Sequence, residues 1–511
     1  MNSRYFLGLA ISTLGVRAIL INQKQEIIAT SWTEHSTYTP HPLWVEQNPE
    51  DWWLGTVASI RKIFESKNII PNQIEAISLT GQMHGLVLLD GYGHVIRPCI
   101  LWNDQRSISQ CEQMYQDFGR DEIISYTGNR VYPGFTAPKV VWVQQNEAHL
   151  YQKTAKIMLP KDYIRYRLSG SYYSEVTDAS GTSLFNVQKR KWSKEMLIAL
   201  HISPSLLPDV TESSIISSTV SPEASRITGL FQGTPIVAGA SSHAAEALAA
   251  RIFQQGDLAL SIRSSGTVFA PLDEYRIDQQ GRIHCFCSIM PNKWHLMGVM
   301  LSAGAAFRWF RDQFMDTLSY DEITAIAATA PAGSEGLLFL PYLNGERNPY
   351  PDPYAKGVFF GFGFRHQKAH FARSLMEGIC FGLRDSVELI KELDIAVHGI
   401  KAFGGAAQSK LWMQIMCDIL HHPLSTTRDV DEPAYGAALL AAIGQGCISF
   451  EELTKQKSLM KENYVPGNCS DRYQELYPHY HHLYQTLSSS YKELFNTVCQ
   501  FNLSSSDGNC S

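Results

Sequence analysis

Phe6-Leu7-Gly8-Leu9-Ala10-Ile11-Ser12-Thr13-Leu14-Gly15-Val16-Arg17-Ala18-Ile19-Leu20 reads as a strand, a bend of small residues and a second strand. The run Leu258-Ala259-Leu260-Ser261-Ile262-Arg263-Ser264-Ser265-Gly266-Thr267-Val268-Phe269 repeats the design. A hairpin bent over small residues offers backbone N–H groups to phosphate oxygens, so two that face each other predict a nucleotide cleft between two domains. Neither bend carries an acid, and any functional reading must account for that.

Outward from the first hairpin, Asn48 and Pro49-Glu50-Asp51 form a helix start, after which Trp53, Val57, Ile60 and Phe64 share one face. Apolar runs at Ile74–Leu79 and Leu86–Leu89 bracket Gly81-Gln82-Met83-His84-Gly85, and Asp90-Gly91 supplies a turn. Strands alternating with amphipathic helices define an α/β chain with a mainly parallel or mixed sheet. A Ser-, Thr- and Pro-rich stretch, 208–233, precedes the strand Pro235–Ala238 and the Ala-rich helix that follows Gly239. The second hairpin begins just beyond, which places a domain boundary near residues 245–257. In the C-terminal half, Gly404-Gly405-Ala406-Ala407 is a tight turn feeding a helix through Leu411, Ile415 and Ile419, and Pro433–Gly444 is a second Ala-rich helix. From Asn502 onward the Ser, Asn and Gly content predicts disorder.

With 511 residues the chain holds two large domains or three smaller ones, by a prior of roughly 100–200 residues per domain. A 44% hydrophobic and 18% charged composition is that of a soluble protein, and no apolar run reaches the length of a membrane helix. A net charge of −6 without a basic block argues against a nucleic-acid partner and for small molecules. Arg4 and the apolar stretch to Ile11 imitate a signal peptide, but Ser12, Thr13, Gly15 and Arg17 interrupt it, and its likeness to the second hairpin favours a mature strand. The ten cysteines form no spaced zinc motif and are expected to be free thiols in a reducing cytoplasm. His479, His481 and His482 are the best metal candidate by residue type, and read as a polar surface or aromatic packing patch.

Together these segments resemble the FGGY family of carbohydrate kinases, most closely its xylulokinases. The matching stretches keep their order: Gly81 to Gly85, Ile100-Leu101-Trp102-Asn103-Asp104, Pro133 to Lys139, Leu159-Pro160-Lys161-Asp162-Tyr163, Thr177 to Thr182, and Phe339 to Arg347. The resemblance implies an α/β fold of two actin-like (ribonuclease H-like) domains with an interdomain cleft. Residues 1–247 are then the sugar-binding domain, 248–450 the nucleotide-binding domain, 451–500 a helical extension and 501–511 a disordered tail. It implies a ketose as partner, ATP and Mg2+ as cofactors, a cytoplasmic location, and a homodimer as a compatible assembly.

On the sugar side the resemblance sets Met83 and His84 against the ketose, with Trp102, Asn103 and Asp104 framing the pocket. Polyol recognition needs fixed donors and acceptors beside an apolar wall, which this set supplies. The phosphoryl-transfer side departs from the family. In the opening Gly-x-Asp-x-Gly-Thr pattern the Asp that organises magnesium is Ala10, the next Gly is Ser12, Thr13 is kept, and Leu14 replaces a small polar residue. The family's Gly-Gly-Asp-Asn base segment reads Ala240-Ser241-Ser242-His243, so Ser242 stands at the base position. The Gly-Thr-Ser-Gly phosphate turn is Arg263-Ser264-Ser265-Gly266, and the adenosine-side turn is Gly404-Gly405-Ala406-Ala407. His243 and Glu246 are candidates to compensate for the base, and Arg263 either supplies positive charge to phosphate or fills the cleft.

Losing a positioned general base costs about 10²–10⁴ in rate, roughly 3–5.5 kcal/mol of barrier, and losing the metal costs more. The leading expectation is a xylulokinase-like fold that binds a ketose with lost or greatly reduced phosphoryl transfer. The alternatives are an active ketose kinase with a rearranged base, and a scaffold that binds neither ligand.

Overall fold

The computed structural model describes residues 4–67, 69–427, 432–456 and 460–506. The chain divides into two compact units that do not follow its order. The first comprises residues 1–254, 271–295 and 429–458, and the second 255–270, 296–428 and 459–511. Two late stretches thus pack with the first unit, which no boundary read along the chain anticipates.

The first unit is built on a six-stranded mixed sheet in the order 216–219, 235–241, 74–81, 5–11, 15–22, 27–34. The strand Tyr5–Ile11 forms the expected hairpin with Gly15–Asn22 and runs parallel to Ile74–Gly81, which in turn runs parallel to Pro235–Ser241. Side chains alternate across a strand, so Tyr5–Ile11 feeds two cores. Leu7, Leu9 and Ile11 face a cluster with Trp52, Trp53, Val57 and Ile60 of the helix Pro49–Lys67 and with Tyr163 and Ile164 of the helix Pro160–Ser169. Phe6 and Ala10 face the other cluster, with Ala240, Ala244 and Leu248 and with Ala434, Ala438 and Leu439 of the helix Pro433–Gly444. That helix lies so close to the strand that a Cβ on Gly8 would stand 1.9 Å from the Ala434 carbonyl oxygen. The helix Pro49–Lys67 starts at proline with Glu50 and Asp51 in its first turn and ends on Lys67, favourable at both ends for the helix dipole.

The second unit's sheet includes, in order, the strands 294–300, 266–272, 257–262, 399–404, 424–427 and 460–464. The second expected hairpin is present, with Asp257–Ile262 antiparallel to Gly266–Leu272. Asp257–Ile262 runs parallel to Gly399–Gly404, which runs parallel to Leu424–Thr427. A helix over Lys368–Glu392 and a long C-terminal helix over Ser470–Ser506 complete the unit. The latter covers Asn502–Ser506, where composition predicts disorder, and residues 507–511 lie outside the described residues. His481 of this helix contacts Asp385 (3.2 Å) and the Tyr350 hydroxyl (2.8 Å) in an aromatic packing patch. Among the described residues no group of three or more His, Cys, Asp or Glu side chains is placed to hold a metal ion. No described helix is long and apolar enough to cross a membrane.

Candidate functional site

In the first unit the C-terminal ends of three parallel strands lie side by side. Ala10 pairs with Thr80, Ile11 with Gly81, Ala240 with Thr80 and Ser241 with Gly81. Gly239 makes the closest approach: its φ is +96°, and a Cβ there would stand 2.2 Å from the Leu79 carbonyl oxygen. The Ala10 methyl is 8% exposed, in a wall shared with Ala240, Ala244, Ala434 and Ala438. Beyond it, the bend closes on itself. The Ser12 hydroxyl donates to the Gly15 carbonyl (2.8 Å) and accepts from the backbone N–H groups of Leu14 (3.3 Å) and Gly15 (3.2 Å). Ser12 thus satisfies two of the bend's backbone donors within the bend itself.

Ser242 opens the helix Ser242–Ala249, and the Ser241 N–H donates to the Thr177 hydroxyl (2.8 Å). Within that helix His243 Nδ1 lies 3.9 Å from Glu246 Oε2. His295 is buried nearby, and burial, with a smaller contribution from His243, pushes its pKa down to about 3. The hydroxyls of Thr80 and Ser241 are buried and make no hydrogen bond.

Thr177 leads into a buried charged cluster that sequence reasoning did not assign a role. Lys161 Nζ lies 2.8 Å from Asp162, 3.2 Å from Asp178 and 3.3 Å from Glu175, all with fully buried side chains. Arg165 pairs with Asp162 at 2.6 Å. Glu175 caps its turn through the N–H groups of Thr177 and Asp178. Both Asp178 oxygens lack a well-aligned hydrogen bond, and burial, opposed by Lys161, raises its pKa to about 7. A lysine at the head of the 160–169 helix brings these acids together, and Gly81 leaves room for the Lys161 stem, which would stand 3.0 Å from a Cβ there.

The residues expected on the sugar side occupy the same unit. His84 holds a left-handed backbone (φ +69°), a conformation costly for a non-glycine residue and one that clusters at ligand clamps. Its Nδ1 contacts the Gly181 carbonyl at 2.6 Å, and its ring stacks on Phe135 with centroids 4.4 Å apart. Its carbonyl accepts from Thr136 Oγ1 (3.0 Å) and Lys139 Nζ (3.1 Å). Gly181 permits this approach, since a Cβ there would come 2.4 Å from His84 Cε1 and 3.1 Å from the end of Met83. Trp102 Nε1 donates to Thr13 Oγ1 (3.1 Å), which donates to Gln82 Oε1 (3.1 Å). Gln82 in turn donates to Gln47, which also receives Trp52 Nε1 and donates to the Thr13 carbonyl. The structure therefore joins Thr13, expected on the nucleotide side, to Trp102, expected on the sugar side, and adds Gln47 and Gln82. Asn103 is exposed. Asp104 is buried, and its carboxylate takes the Val45 N–H (2.6 Å) and grips Arg106 through Nε and Nη2 (2.9 and 2.7 Å).

In the second unit a pocket of about 240 Å³ sits at the other hairpin bend. Its walls include Ile262, Phe307, Tyr320 and Trp412, with Phe307 and Trp412 in edge contact at 4.9 Å. Arg263 and Ser264 come from the bend, Gly405 and Ala406 from the turn after Gly399–Gly404, and Arg308 from the helix Gly304–Phe314. The bend is moored on that helix start: the N–H of Gly304 donates to the Arg263 carbonyl (2.7 Å) and the N–H of Ala305 to that of Ser264 (3.0 Å). Gly404 must lack a side chain, having φ +85° and only 2.4 Å from a would-be Cβ to the Ile262 carbonyl oxygen, whereas open space stands beside Gly405. The expected nucleotide residues Arg263, Ser264, Gly405 and Ala406 thus share one pocket; Ser265 and Gly266 complete the bend, with the Ser265 carbonyl accepting the Arg263 N–H (2.9 Å).

Residues 5–249 match the N-terminal domain of the FGGY family of carbohydrate kinases, and residues 258–444 match its C-terminal domain. The xylulose kinase of Bacillus subtilis (strain 168) is 35% identical over 483 residues, covering 94% of this chain and 97% of that protein. The xylulose kinase of Escherichia coli (strain K12) is 36% identical over 485 residues, covering 94% and 99%. The crystal structure of xylulose kinase from Rhodospirillum rubrum matches with a TM-score of 0.89 at 28% identity, covering 96% of this chain and all of that one. The chain belongs to the FGGY family of carbohydrate kinases and has its mixed α/β, actin-like ATPase fold.

Proposed function

We propose that the chain is a xylulokinase-like protein that binds a D-xylulose-like ketose and whose ATP-dependent phosphoryl transfer is lost or greatly reduced. The observation that carries this is the strand end of the first unit. Magnesium is held by oxygen ligands, with carboxylates prominent among them. The side chains presented there are the methyls of Ala10 and Ala240 and the hydroxyls of Thr80, Ser241 and Ser242, with Ala10 enclosed by further alanines. These residues do not fit a magnesium ion. Ser242 cannot take a proton from a sugar hydroxyl near neutral pH, and Ser12 already occupies bend donors. The ketose side is built by contrast: His84 is clamped by Gly181, Phe135, Thr136 and Lys139, and Trp102 is fixed through Thr13. A xylulose-like substrate is supported by the likeness to xylulose kinases.

A second reading, an active kinase with a rebuilt base, is favoured by the closeness of His243 and Glu246. Release of ADP at high protein concentration with D-xylulose, ATP and magnesium separates the two, run beside Ser242→Asp, an Ala10→Asp/Ser242→Asp double variant and a no-sugar control. The expected result is no sugar-dependent release by the natural chain and its appearance in the double variant. Robust turnover by the natural chain, abolished by His243→Ala or Glu246→Ala, overturns the proposal in favour of the second reading.

A further inference from the structure

Gln47 stands at the centre of a hydrogen-bonded ring in the first unit, and elementary chemistry fixes the polarity of that ring. Its side chain is fully buried. Oε1 accepts from the indole N–H of Trp52 (2.9 Å) and from Gln82 Nε2 (2.8 Å), while Nε2 donates to the Thr13 carbonyl (2.7 Å) and to Thr37 Oγ1 (2.7 Å). An indole N–H can only donate and a carbonyl oxygen can only accept, so the amide has one orientation and both its donors and both its acceptor sites are taken. Thr13 is gripped twice. Its carbonyl is held by Gln47, and its hydroxyl accepts from Trp102 Nε1 (3.1 Å) and donates to Gln82 Oε1 (3.1 Å). Thr13, Gln82 and Gln47 thus close a ring, and Trp102 hangs from it by the single polar atom of its side chain.

The backbone brings the same residues together. The strand Glu46–Gln47 pairs with Cys99–Ile100, Gln47 opposite Cys99, and the pairing runs on to the Leu101 N–H, which donates to the Val45 carbonyl (3.0 Å) one residue before Trp102. Gln82 is tied to the end of the first strand, its N–H donating to the Ile11 carbonyl (2.8 Å). Trp102 itself is half-buried, and its ring turns about two side-chain torsions unless something holds its far edge. A flat ring serves as the wall of a small-molecule pocket only when its plane is set before the ligand arrives, because the cost of fixing it is otherwise charged against binding. We propose that Gln47 is a positioning residue for the ketose: through Thr13 and Gln82 it sets the plane of the Trp102 indole that the sugar meets. This role rests on the ketose reading given above for Trp102. It also accounts for an amide at position 47, since an ionised carboxylate there would offer the Thr13 carbonyl no donor.

The test takes two readouts on the full chain: solvent exchange of the tryptophan indole N–H groups by NMR, with the Trp102 signal assigned by its loss in Trp102→Phe, and calorimetric titration with D-xylulose. Gln47→Met keeps the length of the side chain and removes the amide. The expected result is Trp102 exchange faster by about tenfold or more and D-xylulose bound about 3- to 10-fold more weakly, the net worth of roughly one hydrogen bond. Trp192, whose indole donates to the Pro208 carbonyl (2.8 Å), is expected to exchange as before. Unchanged Trp102 exchange, or a D-xylulose affinity equal to that of the natural chain, overturns the proposal. So does an equal rise at Trp192, the mark of general loosening rather than of a lost hold on one ring. Should Gln47→Met not fold, Thr13→Val takes its place: it keeps the carbonyl that Gln47 holds and breaks the hydroxyl link to Trp102, with faster Trp102 exchange and weaker D-xylulose expected and an unchanged value of either refuting. Failure of the natural chain itself to bind D-xylulose sinks the ketose reading and this proposal with it, whereas unchanged Trp102 behaviour in a chain that does bind sinks this proposal alone.

Discussion

Asp178→Asn tests the buried charged cluster beneath the strand end. Two basic side chains, Lys161 and Arg165, face three carboxyls, those of Asp162, Glu175 and Asp178, and all five are fully buried. Burial raises the Asp178 pKa to about 7, so the folded chain keeps a proton there that the unfolded chain has released above pH ~4. The sign follows from linkage: a group protonated only in the native state lends stability at low pH that is lost as the pH rises through its native pKa. The gap between about 7 and about 3.9, at about 1.4 kcal/mol per tenfold change in proton activity, amounts to at most ~4 kcal/mol lost between pH 4 and pH 7. Asparagine copies the protonated carboxyl in shape and cannot ionise, so the variant should match the natural chain near pH 4, exceed it by about 1.5 kcal/mol at pH 5 and exceed it most at pH 8. For a unit of this size roughly 2 °C accompanies each kcal/mol, so a difference of up to about 8 °C is expected at pH 8. Scanning calorimetry at pH 5, 6, 7 and 8 reads it directly. Parallel pH profiles for the two proteins, or a variant clearly less stable at pH 5, would refute the assignment of the proton to Asp178.

Two further substitutions separate structural from ligand-binding roles. Asp104→Asn should cost about 3 kcal/mol of stability, because it weakens the hold on a buried guanidinium, that of Arg106, which then keeps Glu46 as its carboxylate partner among the described residues; a stable variant that merely binds ketose more weakly, in thermal melts with and without sugar, would place Asp104 in the pocket instead. Gly181→Ala drives a methyl to within 2.4 Å of the His84 ring and should abolish the ketose-induced rise in Tm while also lowering the Tm of the unliganded chain by about 2–6 °C, the effect of roughly 1–3 kcal/mol of overpacking; an undiminished ketose shift would show that His84 does not touch the sugar.

Much of the architecture is legible in residues 6–20 alone. Apolar residues without a break predict a strand covered on both faces, and Phe6 to Ile11 is buried on both. The bend at Ser12 and Thr13 was readable as a turn, and its repeat at Arg263 to Gly266 as a second one. What local reading misses depends on partners distant in sequence. Asp104, beside a tryptophan and an asparagine, has the composition of a polar pocket, yet its carboxylate is spent on Arg106, two residues on, and on the N–H of Val45. Gln47 carries no motif signal, although it ties Thr13, Gln82 and Trp52 together. Lys161, Glu175 and Asp178 belong to different elements with no shared periodicity, so only the fold shows that they meet.

The contact of Gly8 with Ala434 bears on how the molecule is made. The first strand leaves the ribosome early, but the helix Pro433–Gly444 that covers one of its faces is synthesised roughly 400 residues later, about 20 to 80 s at ordinary elongation rates. Throughout that interval Phe6 and the neighbouring alanines of the nascent chain stand uncovered on that side. An N-terminal fragment released by premature termination would lack the Ala434, Ala438 and Leu439 side of this cluster and keep that part of the apolar sheet face open, which makes truncated products natural clients for chaperones that hold unfolded chains and natural targets for proteolysis.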